Sequence, residues 1–586
     1  MPCTTPFTIR KELSLSMNPH APSLSSSASS SSIQPGGTGG PVTVFAARRI
    51  LTMNPSQPHA THVAVRDGRI LAVGTDEDAA QWKAQLGAYT LDETLRDKVL
   101  MPGLVEGHCH LMEGAVWDAA YVGYYDRRGP DGTLWPGLRT LDAVLARLAE
   151  AERAMTDDGP LLAWGFDPIY FGASRLTTRE LDTVSASRPI AILHASVHLM
   201  NVNSAMLALA GIDEDTDIDG IARDAQGQPT GELQEFAAMF PIYQVIGGKL
   251  AIAASEKPHA VWNFGRVAQL AGVTTATDLV NDLSPAGNQT LHSVTADPDY
   301  PVRIVPAFAP QRNPAQRAQG VLEAMAGNTD KLRFGPVKFI VDGSIQGFTA
   351  RVRWPGYAGG QPNGLWLIPP GQLVEVFEPY HCAGLQLHIH TNGDEATEVV
   401  LDALTTILAR HPRPDHRHTL QHCQMADAAQ LRRIRALGLC VNFFANHIYY
   451  WGDAHYAQTM GPDRANRMDP SGSAQRLGIP YALHSDAPIT ALSPLFTAWC
   501  AVRRETASGR VLGEAERLSV DEALYAITLG AAYTLRLDHL IGSIEVGKFA
   551  DFAVLDEDPS TCAPERLKDV PVWGTVLGGR VLRAPR

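Results

Sequence analysis

From Val42 onward, apolar residues recur at alternate positions in short runs that are broken by turn residues. VTVFAARRILTM, followed by THVAVRDGRILAVG with Asp67-Gly68 at its centre, predicts β-strands joined by a hairpin. The far C-terminus repeats the pattern in IGSIEVGKFADFAVLDEDP and VPVWGTVLGGRVL. The two ends therefore predict one small composite β-sandwich domain, residues 42–98 with 540–586. Such a domain needs a middle whose own ends lie close together, which a closed barrel supplies.

The middle, residues 99–539, carries a different pattern. Eight apolar, β-branched-rich runs each end in polar residues: Val99 into His110, then 272–280, 302–309, 337–344, 385–394, 418–424, 439–447 and 481–488. Helix-like stretches such as EATEVVLDALTTILARH and AAQLRRIRALG fall between them. This alternation predicts an α/β fold, a (β/α)8 TIM barrel, with its chemistry at the C-terminal strand ends. The first interval is too long for one βα unit, so residues 113–262 are expected to form an inserted subdomain. Strands are expected in LLAWGFD and PIAILHASVH, a helix in NSAMLALAG, and a hairpin around Gln226-Gly227. An insertion on the catalytic face is expected to shape specificity.

Charge and composition narrow the partners. A formal charge of −13 with no long Lys/Arg cluster argues against nucleic acid and anionic membrane surfaces. No apolar run reaches transmembrane length. Seven irregularly spaced cysteines fit a reducing compartment, so the expected location is cytoplasmic. The partners left are a small-molecule substrate and a further copy of the chain in a homo-oligomer of unfixed number. Residues 1–41 form a Ser/Gly-rich tail too poor in apolar groups to order itself, and Met17 is an alternative start.

The candidate chemistry lies at the ends of the runs. On a strand, His108 and His110 would share one face while Cys109 points away. An isolated His-x-His is more often a hydrogen-bonded pair than a metal site. Here His390, His422 and Asp486 fall at the ends of later runs and converge on the same barrel rim, a donor set suited to Zn²⁺ or a similar divalent metal. For Lys338 two readings stand on the residues alone: an ion pair with Asp342 or a neighbour, or a carbamate ligand bridging two ions.

The chain resembles the amidohydrolase superfamily, matching its motifs in order in PGLVEGHCH, VKFIVDGS, IHTNGD, TLQHCQ, HSDAPIT and the closing GAAYTLRLDHLIGSIEVGKFADFAVLDEDP. Within it, HLMNVNS, DAQGQPTGELQE, KFIVDGS and NHIYYWGDA resemble the branch that contains N-substituted formamide deformylase. The resemblance implies that His108, His110 and Asp486 bind the more buried of one or two ions, with His390 and His422 at the second position. It also implies N6-carboxylysine at Lys338 and a substrate contact at His198. Glu106-Gly107 and Thr391-Asn392 depart from the commonest patterns without removing a ligand.

The expected mechanism is attack of metal-activated water on an amide-type carbon, with Asp486 moving the proton. The candidate substrate pocket is aromatic: Trp117, Tyr121, Trp354, Tyr450 and Trp451, together with Tyr124, Tyr125, Tyr357 and Tyr449, follow catalytic strand ends. A heterocycle or amine deaminase and a non-catalytic metal-binding scaffold are the alternatives. Ammonia release would mark the first, and metal without turnover the second.

Overall fold

Eight parallel strands follow one another in chain order: Leu104–Glu106, Val273–Asn281, Arg303–Phe308, Pro336–Ile340, Gln386–Thr391, Thr419–His422, Cys440–Phe443 and Tyr481–Leu483. The computed structural model describes residues 40–172, 175–247, 254–311, 313 and 317–585. Apart from Gly40 and Pro41, the Ser/Gly-rich tail lies outside the described residues. Both faces of these strands are buried almost throughout, as in a parallel sheet covered by helices. The helix Asp394–Arg410, for example, buries Val400, Leu401, Leu404 and Ile407, while Asp427 opens Ala428–Ala436 with a capping box.

The ring closes by backbone bonds just past the eighth and first strands. The Asp486 N–H donates to the His108 carbonyl (3.0 Å) and the His110 N–H to the Ala487 carbonyl (2.9 Å). At the opposite end of the seam, Val105 N–H bonds to the Ile527 carbonyl at 2.9 Å, and Ala531 and Ala532 join Val105 and Ala482 in one apolar cluster. The fold is thus an α/β barrel of TIM type.

The apolar run from Val99 to His110 is divided. Val99–Pro102 pairs antiparallel with Phe552–Leu555, in the sheet built from the two ends of the described chain, and Leu104–Glu106 opens the barrel. Gly103 makes this crossing, because a Cβ there would lie 1.9 Å from Thr274 Oγ1. The terminal sheet runs Arg580–Arg583, Val572–Leu577, Phe552–Leu555, Val99–Pro102, Val42–Leu51, His59–Arg66, Arg69–Gly74. Asp67 (φ 50°) and Gly68 (φ 74°) turn its outer hairpin.

Between the first and second barrel strands sits a second, six-strand sheet: Ile221–Arg223, Pro229–Gln234, Leu199–Val202, Ile190–His194, Leu161–Phe166 and Ala120–Tyr121. The helix Glu235–Ile246 follows its strand Pro229–Gln234 directly. Among the described residues no helix is long and apolar enough to cross a membrane.

Candidate metal centre

His108, His110, Lys338, His390, His422, Asp486 and His198 all line one cavity of about 390 Å³ at the C-terminal end of the barrel. His108 and His110 lie just beyond the first strand rather than on it, and the closing bonds to 486 and 487 bring Asp486 between them. Asp486 Oδ1 is 3.0 Å from His110 Nε2 and 3.3 Å from His108 Nε2, and Oδ2 is 3.8 Å from His422 Nδ1. Cys109 turns outward, its N–H and Sγ bonding to Thr277.

Asp486 and His422 hold left-handed backbone at φ 55° and 68°, a cost non-glycine residues bear where surrounding structure enforces it. Part of that enforcement is Glu106. Its buried carboxylate accepts from Ser485 N–H (3.1 Å), Ser485 Oγ–H (2.8 Å) and His108 N–H (3.4 Å), stapling the two ligand segments together. Burial pushes the Glu106 carboxyl up to about 8.

The donors fit a divalent metal. A tetrahedral site with bonds near 2.05 Å places its ligand atoms about 3.3 Å apart. The nitrogens of His108 and His110 and the Asp486 oxygen all lie within 4.8 Å of one another. His108 Nδ1–H donates to Gln421 Oε1 at 2.7 Å, which leaves Nε2 as the donor atom facing Asp486. His422 Nδ1 is buried without a hydrogen-bond partner. Burial holds His108, His390 and His422 well below the usual imidazole range, so each offers a lone pair. Burial works to raise Asp486, but the His110 hydrogen bond and the surrounding positive groups keep its carboxyl below the ordinary range.

Lys338 does not pair with Asp342. Asp342 accepts the backbone N–H groups of Arg351, Asn392 and Gly393, while Lys338 Nζ lies 3.3 Å from His108 Nε2. Burial pulls the Lys338 amine down to about 7. His390 is the neighbour of His422 in the cavity, its Nδ1 lying 3.1 Å from His422 Nε2 and its Nε2 3.3 Å from the Gly343 carbonyl.

The aromatic residues expected to form the pocket do not line this cavity. Trp354 is 94% exposed, and Trp117 packs against Trp164 and Tyr121 inside the insert. Tyr121, Tyr450 and Trp451 border a separate small cleft, with the Trp451 Nε1–H committed to Asp167 at 2.9 Å. Sequence order shows which residues follow a strand, but not that this insert stacks its rings on one another. The apolar wall comes instead from Phe236, Met239 and Tyr243 on the helix Glu235–Ile246, with Met112, Ile340 and Leu367.

Three members of the site were not foreseen. His484 stacks on His108 (centroids 4.6 Å, 18°), and neither of its ring nitrogens has a hydrogen-bond partner among the described residues. Gln421 links His108 to His388. Glu235 Oε2 accepts from His198 Nδ1–H at 2.8 Å. All three lie inside motifs quoted above, in HSDAPIT, TLQHCQ and GELQE, but only folding shows which way each side chain points.

Imidazoles and a carboxylate gathered at the open end of a parallel barrel define a metal-dependent hydrolase. The particular family follows from comparison: the model of the amidohydrolase family matches residues 93–583, and the chain belongs to that family, whose chemistry is hydrolysis at carbon–nitrogen bonds. The protein LONG AFTER FAR-RED 3 of Arabidopsis thaliana is 28% identical over 549 residues, covering 91% of this chain and 90% of that protein. The N-substituted formamide deformylase of Arthrobacter pascens is 28% identical over 557 residues, covering 92% and 97%. Among solved structures, an uncharacterized metal-dependent hydrolase from Pyrococcus horikoshii superposes with a TM-score of 0.67 at 19% identity, covering 89% of this chain and 99% of that one. This last likeness concerns the fold.

Proposed function

We propose that the protein hydrolyses the C–N bond of an amide bearing an apolar substituent, an N-substituted formamide or an N-acyl amine. The observation that carries the reading is a carboxylate held 3.0 and 3.3 Å from two imidazole nitrogens, in a cavity whose far wall is Phe236, Met239 and Tyr243. Zinc or a similar divalent metal, one or two ions held by His108, His110, Asp486, His390, His422 and Lys338, would supply a water acidified toward neutrality and a polarised carbonyl.

The chain's own groups do the rest. Asp486 takes the proton from the attacking water and returns it to the leaving nitrogen, which departs as the amine. His198, whose ring centroid stands 5.8 Å from that of His390 in the same cavity, contacts the substrate. Lys338, with its Nζ 3.3 Å from His108 Nε2, is placed to react with CO₂ as the free amine, lose a proton and become N6-carboxylysine with two oxygen donors. The insert, residues 113–262, sets specificity through its apolar wall, and the acidic surface fits a small-molecule substrate. Six described cysteines without a disulfide support a reducing, cytoplasmic setting.

The test is amine release from a panel of N-formyl and N-acyl amines by protein prepared with and without zinc, read beside metal content per chain. Amine release that depends on zinc, and loss of one ion in Lys338→Ala, are expected. Ammonia released from ring substrates in place of amine would move the reaction to a deaminase.

A further inference from the structure

We propose that Glu235 is the positioning residue for His198, holding that ring in one tautomer against the cavity and tying it to the helix that forms the apolar wall. The proposal rests on the amide-hydrolase reading above and adds no bond-making step to it.

Glu235 and His198 meet twice. The Glu235 backbone N–H donates to the His198 carbonyl at 2.7 Å, and the Glu235 carboxylate accepts from His198 Nδ1–H at 2.8 Å. These residues come from different segments of the insert: His198 from the loop between Ile190–His194 and Leu199–Val202, Glu235 from the start of the helix Glu235–Ile246. Both segments hold unusual backbone at this point, Val197 at φ 53° and Glu235 at φ 62°. For side chains other than glycine such values persist where neighbouring structure over-determines them, and here they bring the two residues face to face.

With Nδ1 occupied as a donor, the neutral ring carries its lone pair on Nε2, which has no protein partner among the described residues; burial works to lower the pKa of this ring, but the Glu235 carboxylate carries it above the ordinary imidazole range. The ring stands 5.8 Å, centroid to centroid, from that of His390, so the unpartnered nitrogen belongs to the reacting end of the cavity. A carboxylate behind an imidazole that fixes which nitrogen is protonated is the recurring device of hydrolytic dyads and triads. The barrel leaves room for this one. A Cβ built on Gly343 would come within 2.2 Å of Thr349 Oγ1 and 2.5 Å of Glu235 Oε1, so glycine at 343 keeps space beside the carboxylate. Residues 236, 239 and 243, the next position and those about one and two turns along the same helix, line the cavity. A substrate group seated on them therefore bears on the element that aims His198.

The test uses the zinc-loaded full-length protein and the variants Glu235→Gln, Glu235→Ala, His198→Ala and the double alanine variant. Glu235→Gln keeps an acceptor for Nδ1–H and guards against a folding defect in the alanine variant. Expected are a kcat loss of about 30-fold in Glu235→Ala and under about 5-fold in Glu235→Gln, with KM and zinc content little changed. The double variant is expected to be no slower than His198→Ala, because Glu235 acts through that ring. Nitrogen NMR of ¹⁵N-histidine protein, recorded at a pH high enough to leave the ring neutral and assigned by difference from His198→Ala, should show a single Nδ1–H tautomer in the parent and Glu235→Gln and a mixture in Glu235→Ala. An unchanged tautomer in Glu235→Ala, or losses that multiply in the double variant, would overturn the proposal. If the parent turned over nothing in the amide panel, that would count against the hydrolase reading alone, and the tautomer measurement would still decide this one.

Discussion

The barrel holds histidine clusters at both of its ends, and their ring nitrogens are used in opposite ways. At the N-terminal end, His418 Nδ1 accepts from the Leu387 N–H (3.0 Å) and its Nε2–H donates to His381 Nδ1 (2.9 Å). His381 Nε2–H passes on to the His411 carbonyl at 2.8 Å. His416 accepts from the His418 N–H and donates to the Leu437 carbonyl, so every ring nitrogen of this trio is matched. At the C-terminal end, His422 Nδ1, His388 Nε2 and both nitrogens of His484 are buried with no hydrogen-bond partner among the described residues. One residue type, equally buried, serves structure where its lone pairs are spent and chemistry where they are left over.

The contrast can be broken most directly at Asp486. Asp486→Asn is expected to lower amide hydrolysis by about 10³-fold while zinc content stays near that of the parent, measured by amine release and metal analysis. Parallel loss of metal and turnover would make Asp486 a ligand and no more. Next comes a matched pair. His418→Ala should cost about 1–3 kcal/mol in urea unfolding, since it strands the Leu387 N–H and His381 Nδ1, and leave kcat unchanged. His422→Ala should weaken zinc binding by about tenfold or more and cost metal-free protein less stability than His418→Ala. If the two variants behaved alike, the distinction between the clusters would fail.

Acid sharpens the comparison further. Burial lowers the His381, His416 and His418 pKa values below the ordinary 6.5. Unfolded chain then binds more protons than folded chain below that pH, so their contribution is complete above about pH 6.5 and is lost as pH falls. Urea midpoints between pH 8 and pH 5 should decline, and decline less steeply in His418→Ala. The smallest effect is expected at the apolar wall: Phe236→Ala should raise KM for an N-aryl formamide by about tenfold with kcat little changed.

Much of this was open to reading because the two periods are so different. The eight β-branched runs and the helical stretches between them predict a barrel, and the meeting of His108, His110, His422 and Asp486 in one cavity follows from that topology. What resisted was everything that depends on how the insert packs. Trp117, Tyr121, Tyr450 and Trp451 sit at suggestive places in the chain, yet their rings are spent on each other, on Trp164 and on Asp167. The wall that replaces them starts at Glu235, a position whose left-handed backbone no local pattern announces. His484 escaped notice for a simpler reason, being two residues from a more conspicuous aspartate.

The bonds that close the barrel also set a schedule. His110 and Asp486 are separated by 376 residues, and the main-chain links that bring them together form across the last seam of the ring. During synthesis His108 and His110 emerge long before Asp486 exists. Until the eighth strand docks, no nascent chain brings these three side chains together, and completion of the site waits on nearly the whole polypeptide.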